Sequence, residues 1–557
     1  MKKNIIYAAG IWLVAAMPIA AENNTTENDS VFERKVTVER EYTPLIKEAT
    51  KLDGKAQVKT SQAVQREVVY TDFNRPIKAE KSIPTLEYPQ LAFNTPQSEN
   101  GFVRLGLGMY WNTLADLHYQ LLNERDMKMG VYAHHYGAFG YKTLSETDFG
   151  IDFRKLFNTS EIYVNLSAAN SFYNRYGKAY VDSTSIYDWK QFPPSEMETA
   201  SIWDAEAVVG WRSTANSQLD YLLQTGYEHF NLGNQTGTHT IKTKGAIGGT
   251  VGNGHKIGLE ADMDNIFYMA PYDIHTTTFI HALPYYSYTN DVVRVQAGVN
   301  IDMLITDQFK IAPSPDVRFE WKANPDMVSM YLNATGSYTY NKAEIWLNDN
   351  RYMDLNQVLA DTVATYSPIQ AEFGLKIKPA NGLLINPFIA YSYIKNERFY
   401  YYNTTADRFQ VLHQNASTIN AGLNLDYHFQ DKVWLNLGGA YHLWIMKEGE
   451  TAWDRPAWNV WTDIRYNITT KWSVQLDATL TGDKKALVAT ADANNQMLFE
   501  TRQLDMGYNI NVGCIYTPNK WLSAFVKVNN IAHNKYATYY AYESYGIQFL
   551  VGASVAF

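Results

Sequence analysis

The sequence predicts an all-β fold: a single transmembrane antiparallel β-barrel of about 22 strands with a short N-terminal periplasmic segment. Three observations predict it. From Gly101 onward, stretches of roughly ten residues alternate apolar with polar or small side chains. The connections between those stretches alternate between tight turns and longer loops rich in Tyr and Trp. The chain ends on a strand whose last residue, Phe557, shares the apolar face.

The N-terminus reads as a secretory signal over residues 1–21. Lys2 and Lys3 precede an apolar run from Ile5 to Ile19, and small Ala20 and Ala21 precede polar Glu22. The run is shorter than the roughly 20 residues a spanning helix needs, and no second apolar stretch of that length follows. Residues 22–100 are charge-rich, as in Phe32 to Arg40, and carry Pro44, Pro76, Pro84, Pro89 and Pro96. They read as a largely extended periplasmic segment. Residues 101–557 read as the barrel.

Within the barrel, successive side chains of a strand point to opposite faces, so period-two alternation marks one greasy face and one wet face. Val293, Val295, Ala297, Val299, Ile301 and Met303 form such a face, alternating with Arg294, Gln296, Gly298, Asn300 and Asp302. Ile419 to Phe429 and Leu504 to Cys514 repeat the pattern. Strands are expected to start near residues 102, 115, 127, 146, 160, 198, 217, 237, 254, 276, 291, 312, 327, 367, 382, 416, 431, 456, 470, 502, 519 and 546. Tight turns such as Gly252 to Gly254, Thr289 to Asp291 and Pro379 to Gly382 then fall on one rim. Loops such as Tyr173 to Met197, Lys342 to Tyr366, Phe399 to Asn415, Asp483 to Glu500 and Ala532 to Tyr545 fall on the other. Short turns on one rim and long loops on the other are the build of outer-membrane barrels, and an even strand count returns both ends to the short-turn, periplasmic side.

Composition agrees. Aromatic residues make up 14% of the chain, with 41 Tyr and 14 Trp, while mean hydropathy is −0.33; a barrel greasy outside and wet inside has both properties. The net charge of −9 excludes the basic excess of a nucleic-acid binder. The lone cysteine, Cys514, precludes an internal disulfide and reads as a small apolar residue on a strand face.

Trp521 to Ile531, Asn534 to Tyr536 and Gly546 to Phe557 resemble the closing strands of TonB-dependent receptors. That resemblance implies a 22-stranded outer-membrane barrel of a Gram-negative bacterium, engaged in transport. It also implies an N-terminal plug. Here about eighty residues lie between the signal and the first strand, without a clear plug pattern. Val36-Thr-Val38 faintly suggests a Ton box.

No catalytic constellation is present: there is no Gly-x-Ser-x-Gly, no His-Glu-x-x-His, no phosphate-binding Gly loop and no Cys cluster. The chain is not expected to be an enzyme, to carry a cofactor or metal, or to bind nucleic acid. His134 and His135 are adjacent in a strand and so point to opposite faces. Predicted lumen positions include Glu260, Asp262, Asp264, Asp302, Asp426, Asp477 and Asp505. They could favour cations or polar solutes, or simply belong to a wet lumen of both signs, since Arg294 and Lys376 share that face. In the loop after Tyr173, the aromatics Tyr176, Tyr180, Tyr187, Trp189 and Phe192 could stack on sugars, grip a surface lipoprotein, or pack as a crust over the barrel mouth. Asp492, Asn494 and Asn495 lack EF-hand spacing.

Two functions fit this reading. One is passage of a polar solute across the outer membrane. The other is a structural or interaction subunit of a larger outer-membrane complex. Expected partners are outer-membrane lipid and, for either role, a surface lipoprotein, TonB or other envelope proteins.

Overall fold

In the computed structural model the described residues are 100–557, apart from 178–196, 216, 218, 234–236, 270–275, 325–326, 341, 355–356 and 358–362. By contact density the chain divides into Met1–Ile46 and Lys47–Phe557. The first unit, the signal at 1–21 and the segment 22–99 lie outside the described residues.

The wall begins with β1 (Gly101–Gly108), β2 (Thr113–Asn123), β3 (Met127–Ala138), β4 (Leu144–Leu156), β5 (Ser160–Asn174), β6 (Thr199–Ser213), β7 (Leu219–Asn231) and β8 (Gly237–Gly252). It continues through β9 (His255–Tyr268), β10 (Thr277–Thr289), β11 (Val293–Ile305), β12 (Phe309–Asn324), β13 (Val328–Thr339), β14 (Thr365–Ala380) and β15 (Leu383–Asn403). β16 (Arg408–Phe429), β17 (Val433–Met446), β18 (Trp458–Asn467) and β19 (Trp472–Thr481) follow. A hairpin, β20 (Lys484–Ala491) and β21 (Met497–Leu504), interrupts the wall. It resumes with β22 (Gly507–Asn519) and β23 (Leu522–Asn529), passes the short ribbon β24 (Ala537–Tyr539) and β25 (Tyr542–Glu543), and ends with β26 (Gln548–Ala556).

Each wall strand pairs antiparallel with its neighbour. β19 pairs directly with β22, and β26 pairs with β1 to close the cylinder, which leaves 22 strands in the barrel. Asn100 and Phe557 meet at the seam, with the Asn100 N–H donating to the Phe557 carbonyl at 3.1 Å. The start and the end of the wall therefore sit on one rim. No described helix is long and apolar enough to cross a membrane; the strands do the spanning. A 13-residue strand such as β11 runs about 43 Å, which at a tilt of roughly 45° covers a bilayer core of about 30 Å.

The outside is apolar. Ile257, Leu259 and Phe267 of β9, Val299 and Ile305 of β11, and Phe549, Val551, Val555 and Phe557 at the C-terminus are all exposed. In the absence of lipid such exposure has no driving force behind it; in a bilayer it is the buried face. Strand alternation then turns the intervening side chains inward.

The turns on the terminus rim are tight. In Gly252–His255 and Ala380–Leu383 a glycine takes the left-handed conformation, Gly254 at φ 78° and Gly382 at φ 76°. A Cβ on Gly382 would stand 2.0 Å from the His428 carbonyl oxygen, so only glycine fits there. The expected short link on the opposite rim is present: β1 and β2 are joined by a short turn through Met109–Trp111, in which Tyr110 and Trp111 take positive φ of 57° and 50°. Two expected boundaries shift. β16 starts at Arg408 rather than near 416, and β22 starts at Gly507 rather than near 502. Both lie where the chain leaves the wall.

Replacing Val299, at the middle of β11 and facing outward, with Arg should cost about 2–4 kcal/mol, the midplane penalty for a cation on the lipid face. Equilibrium unfolding from lipid vesicles in denaturant measures it. A Val299→Arg barrel as stable as the parent would refute the assigned outward face.

Candidate functional site

The lumen wall is charged and paired. Exposed Ile257 and Leu259 put Glu260, Asp262 and Asp264 on the inner face of β9. Asp262 pairs with Lys244 at 3.5 Å, and Asp264 pairs with Lys342 from the opposite-rim loop. Asp302 accepts from His281 at 2.7 Å, and Asp477 accepts from the Asn511 amide at 2.9 Å. Asp426 faces inward between its register partners Leu384 and Asn436. Other inner carboxylates follow suit: Lys242 lies between Glu206 at 2.9 Å and Glu228 at 2.6 Å. Glu320 takes both Arg294, at 3.9 Å, and Lys376, at 3.3 Å. Asp505 stands apart from the wall strands. It is exposed in the two-residue link between β21 and β22, because the strand expected from 502 begins only at Gly507.

His134 points inward against Asp116, while His135 on the other face bonds the hydroxyls of Thr113 at 2.9 Å and Thr147 at 2.8 Å. Among the described residues, no group of three His, Cys, Asp or Glu could hold a metal ion.

The mouth opposite the termini carries a second layer. β15 and β16 run 21 and 22 residues, well past the rim. A bulge between Ile394 and Glu397, with Asn396 at φ 55°, marks where the hairpin leaves the wall. Its outer half then acquires new partners. β20 pairs parallel with β15 at Tyr401 to Asn403, β21 pairs with β20, and Met353 bridges to Phe409 of β16. Under this sheet lies the helix α1 (Ala343–Asp349), whose Ala343, Trp346 and Leu347 share its buried face.

Aromatic side chains fill the layer. Tyr352 stacks on Tyr542 at 3.6 Å between centroids. Tyr176 meets Tyr542 edge-on at 5.0 Å, and Phe409 meets Tyr539 at 5.5 Å. Phe230, Ala200, Leu144 and Tyr173, on wall strands near the rim, belong to the same buried cluster, so the loops fold onto the wall rather than away from it. Hydroxyls find partners: Tyr173 donates to the Arg351 carbonyl at 2.5 Å, Tyr176 to the Glu543 carbonyl at 2.9 Å and Tyr400 to Asp349 at 2.9 Å. Asp349 also pairs with Arg398 at 3.0 Å, and Arg455 pairs with fully buried Glu397 at 3.3 Å. Tyr176 thus packs into the crust. Tyr180, Tyr187, Trp189 and Phe192 lie outside the described residues.

The sequence placed loops at 342–366, 399–415 and 483–500 and offered an aromatic crust over the mouth for the loop after Tyr173; it did not anticipate the helix and the strand pairings that build this layer. One signal was present. Lys484–Ala491 and Met497–Leu504 flank Asp492 to Gln496, where the Asp492 carboxylate accepts from the N–H groups of Asn494 and Gln496, both at 2.8 Å. That is a hairpin turn chemistry, and it accounts for the Asp492, Asn494 and Asn495 cluster.

No family model matches this chain, and no curated protein matches it. Solved structures do. The ferripyoverdine receptor of the outer membrane of Pseudomonas aeruginosa superposes with a TM-score of 0.62 at 12% identity, over 83% of this chain and 72% of that one. The ferric-catecholate import receptor Fiu from E. coli K12 gives 0.60 at 10% identity, over 83% and 82%. The FrpB iron transporter from Neisseria meningitidis gives 0.62 at 9% identity, again over 83% and 82%. These are TonB-dependent receptors, and this chain has their 22-strand barrel fold. A closed barrel of that fold, apolar outside and charged within, is an outer-membrane protein.

Two carboxyls give the mouth layer a pH dependence. Burial pushes Asp454 up to about 6, against the attraction of Lys484 and Arg455. Burial and then repulsion from Glu228 push Glu344, on α1, up to about 7. Neither carboxyl has a hydrogen-bond partner for its buried side-chain oxygens among the described residues. A folded-state pKa above the unfolded one stabilises the protonated form, so this contribution is full below about pH 4 and is lost as pH rises through about 6 and 7. Hydrogen exchange in the outer half of β15, corrected for intrinsic rate, should show more opening at pH 8 than at pH 5. Asp454→Asn with Glu344→Gln should flatten the difference; an unchanged pH profile in the double variant would rule the two groups out.

Proposed function

We propose that the chain passes a polar solute across the outer membrane, with the mouth layer as its gate. One observation carries this reading: a lumen lined by paired charges and amides lies beneath a layer that rests on the rim through aromatic packing. A wall built only for anchoring has no need of a wet interior. The fold is that of receptors whose names describe import of ferric chelates and iron, which supports transport in general without naming the solute here. In this reading a periplasmic partner of the TonB kind works from the rim where the wall begins and ends.

A docking role is favoured by a different observation. Among the described residues β21 pairs only with β20, and Met497, Leu498 and Phe499 are exposed on it. Such an edge is a template for an incoming strand, and a surface lipoprotein or another envelope protein would be its occupant.

Planar-bilayer recording separates the two. The full chain should be nearly silent, and a variant with residues 484–504 replaced by a short Gly-Ser turn should show large steady openings. Liposomes holding that variant should swell in neutral solutes faster than those holding the parent. Silence in both proteins would overturn the transport reading and leave the docking role.

A further inference from the structure

The inner wall carries a belt of flattened aromatic rings. Tyr132 lies on Gly150, Tyr163 on Gly210, Tyr285 on Gly258, Tyr331 on Gly374, Phe388 on Gly422 and Trp461 on Gly438. Each ring faces its glycine directly across a strand pair. A Cβ built on these glycines would stand between 2.2 and 2.6 Å from the ring atoms, so the rings rest on bare backbone. All six sit within a few residues of the strand ends on the terminus rim. They therefore lie at one level of the lumen.

Two of these rings, Tyr163 and Tyr285, border a wall cavity of about 1040 Å³. Five strand spacings separate β5 from β10, an arc of about 24 Å. Between the rings the wall is polar but balanced. Arg212 pairs with Glu161 at 2.8 Å, Lys256 with Asp220 at 2.5 Å and Lys244 with Asp262 at 3.5 Å. Gln224 holds the Tyr163 hydroxyl at 2.7 Å, and the Arg212 guanidinium stands 5.4 Å from the Tyr163 ring centre. Arg294, which also lines the cavity, shares Glu320 with Lys376, and Glu260 lines the same stretch, so carboxylates offset the cations at this level. A charged solute gains no excess of opposite charge here. A neutral solute rich in hydroxyls meets donors and acceptors along the whole arc, and its C–H faces meet flat rings pinned at both ends.

We propose that this wall cavity is a binding site for a neutral oligosaccharide, with Tyr163 and Tyr285 as stacking platforms and the ion-paired side chains between them as hydroxyl partners. It rests on the transport reading for its purpose, since a lumen site near the exit rim serves a solute in passage. The length of the arc selects a chain of several sugar units over a monosaccharide.

Titration calorimetry on the full chain in lipid nanodiscs tests it, with maltopentaose, cellopentaose and xylopentaose as neutral probes and trigalacturonate as the acidic one. At least one neutral probe should bind. Tyr163→Ala and Tyr285→Ala should each weaken it about tenfold. Tyr331→Ala, which removes a ring from the same kind of glycine seat away from the cavity, should not. Ser287→Trp, which sets an indole into the cavity beside Tyr285 and leaves both platforms in place, should weaken binding at least about tenfold even where a Tyr→Ala variant fails to fold. The proposal is overturned if no neutral probe binds, if trigalacturonate binds more tightly, or if Tyr331→Ala weakens binding as much as the other two. Binding needs no flux, so a barrel that binds the sugar yet never conducts would sink the transport reading and leave this site standing.

Discussion

Everything in this molecule depends on backbone hydrogen bonds that have no water to fall back on. In the hydrocarbon core an unpaired N–H or C=O costs several kcal/mol, so a sheet there must close. The pairing of Leu105 with Ala553 and of Val103 with Val555 at the seam joins the last strand to the first and removes the edge. Once the cylinder is closed, the rest follows from sidedness. Alternate residues meet lipid and must be apolar; the others meet the lumen and may be polar provided they are paired. The open sheet edge on β21 occurs where the chain has left the membrane and water can satisfy it.

Leaving the wall changes which physics selects the residues. Below the bulge at Asn396, β15 obeys the lipid rule, with Ile389 and Tyr391 exposed. Above it, Phe399, Tyr400 and Tyr402 are all buried, because the outer half of the hairpin has protein on both faces. Glu397 and Arg455 are buried there side by side; a buried pair broken at one partner leaves an uncompensated charge. Tyrosine suits such a layer. It supplies ring area with few rotatable bonds, and its hydroxyl reaches a carbonyl at the edge, as Tyr176 does at Glu543.

The same division explains what the sequence disclosed. The barrel was legible because lipid imposes a strict period of two, and the first strand is found at Gly101 and the eighth at Gly237, where alternation put them near 102 and 237. Legibility failed at Arg408 and Gly507 for one reason: strand pairing and lipid contact part company there, and the pattern records only the second. A crust over the mouth was one of the readings the loop aromatics allowed, but its architecture was hidden because its contacts join residues remote in the chain. Tyr352 and Tyr542 are neighbours in space alone, and neither position looks special by itself.

The acidic lumen residues show the limit from another side. Read along β9, Glu260, Asp262 and Asp264 form a run of negative charge. Read across the sheet, register sets Lys244 opposite Asp262 and Lys242 opposite Asp264, and a one-residue slip would have turned the lysines toward lipid. The field inside the barrel is therefore a property of register rather than of composition. A wall that neutralises itself strand by strand exerts little pull on ions of either sign. It leaves local dipoles and flat aromatic faces to do the discriminating, and those recognise shape and hydroxyl pattern more strongly than net charge.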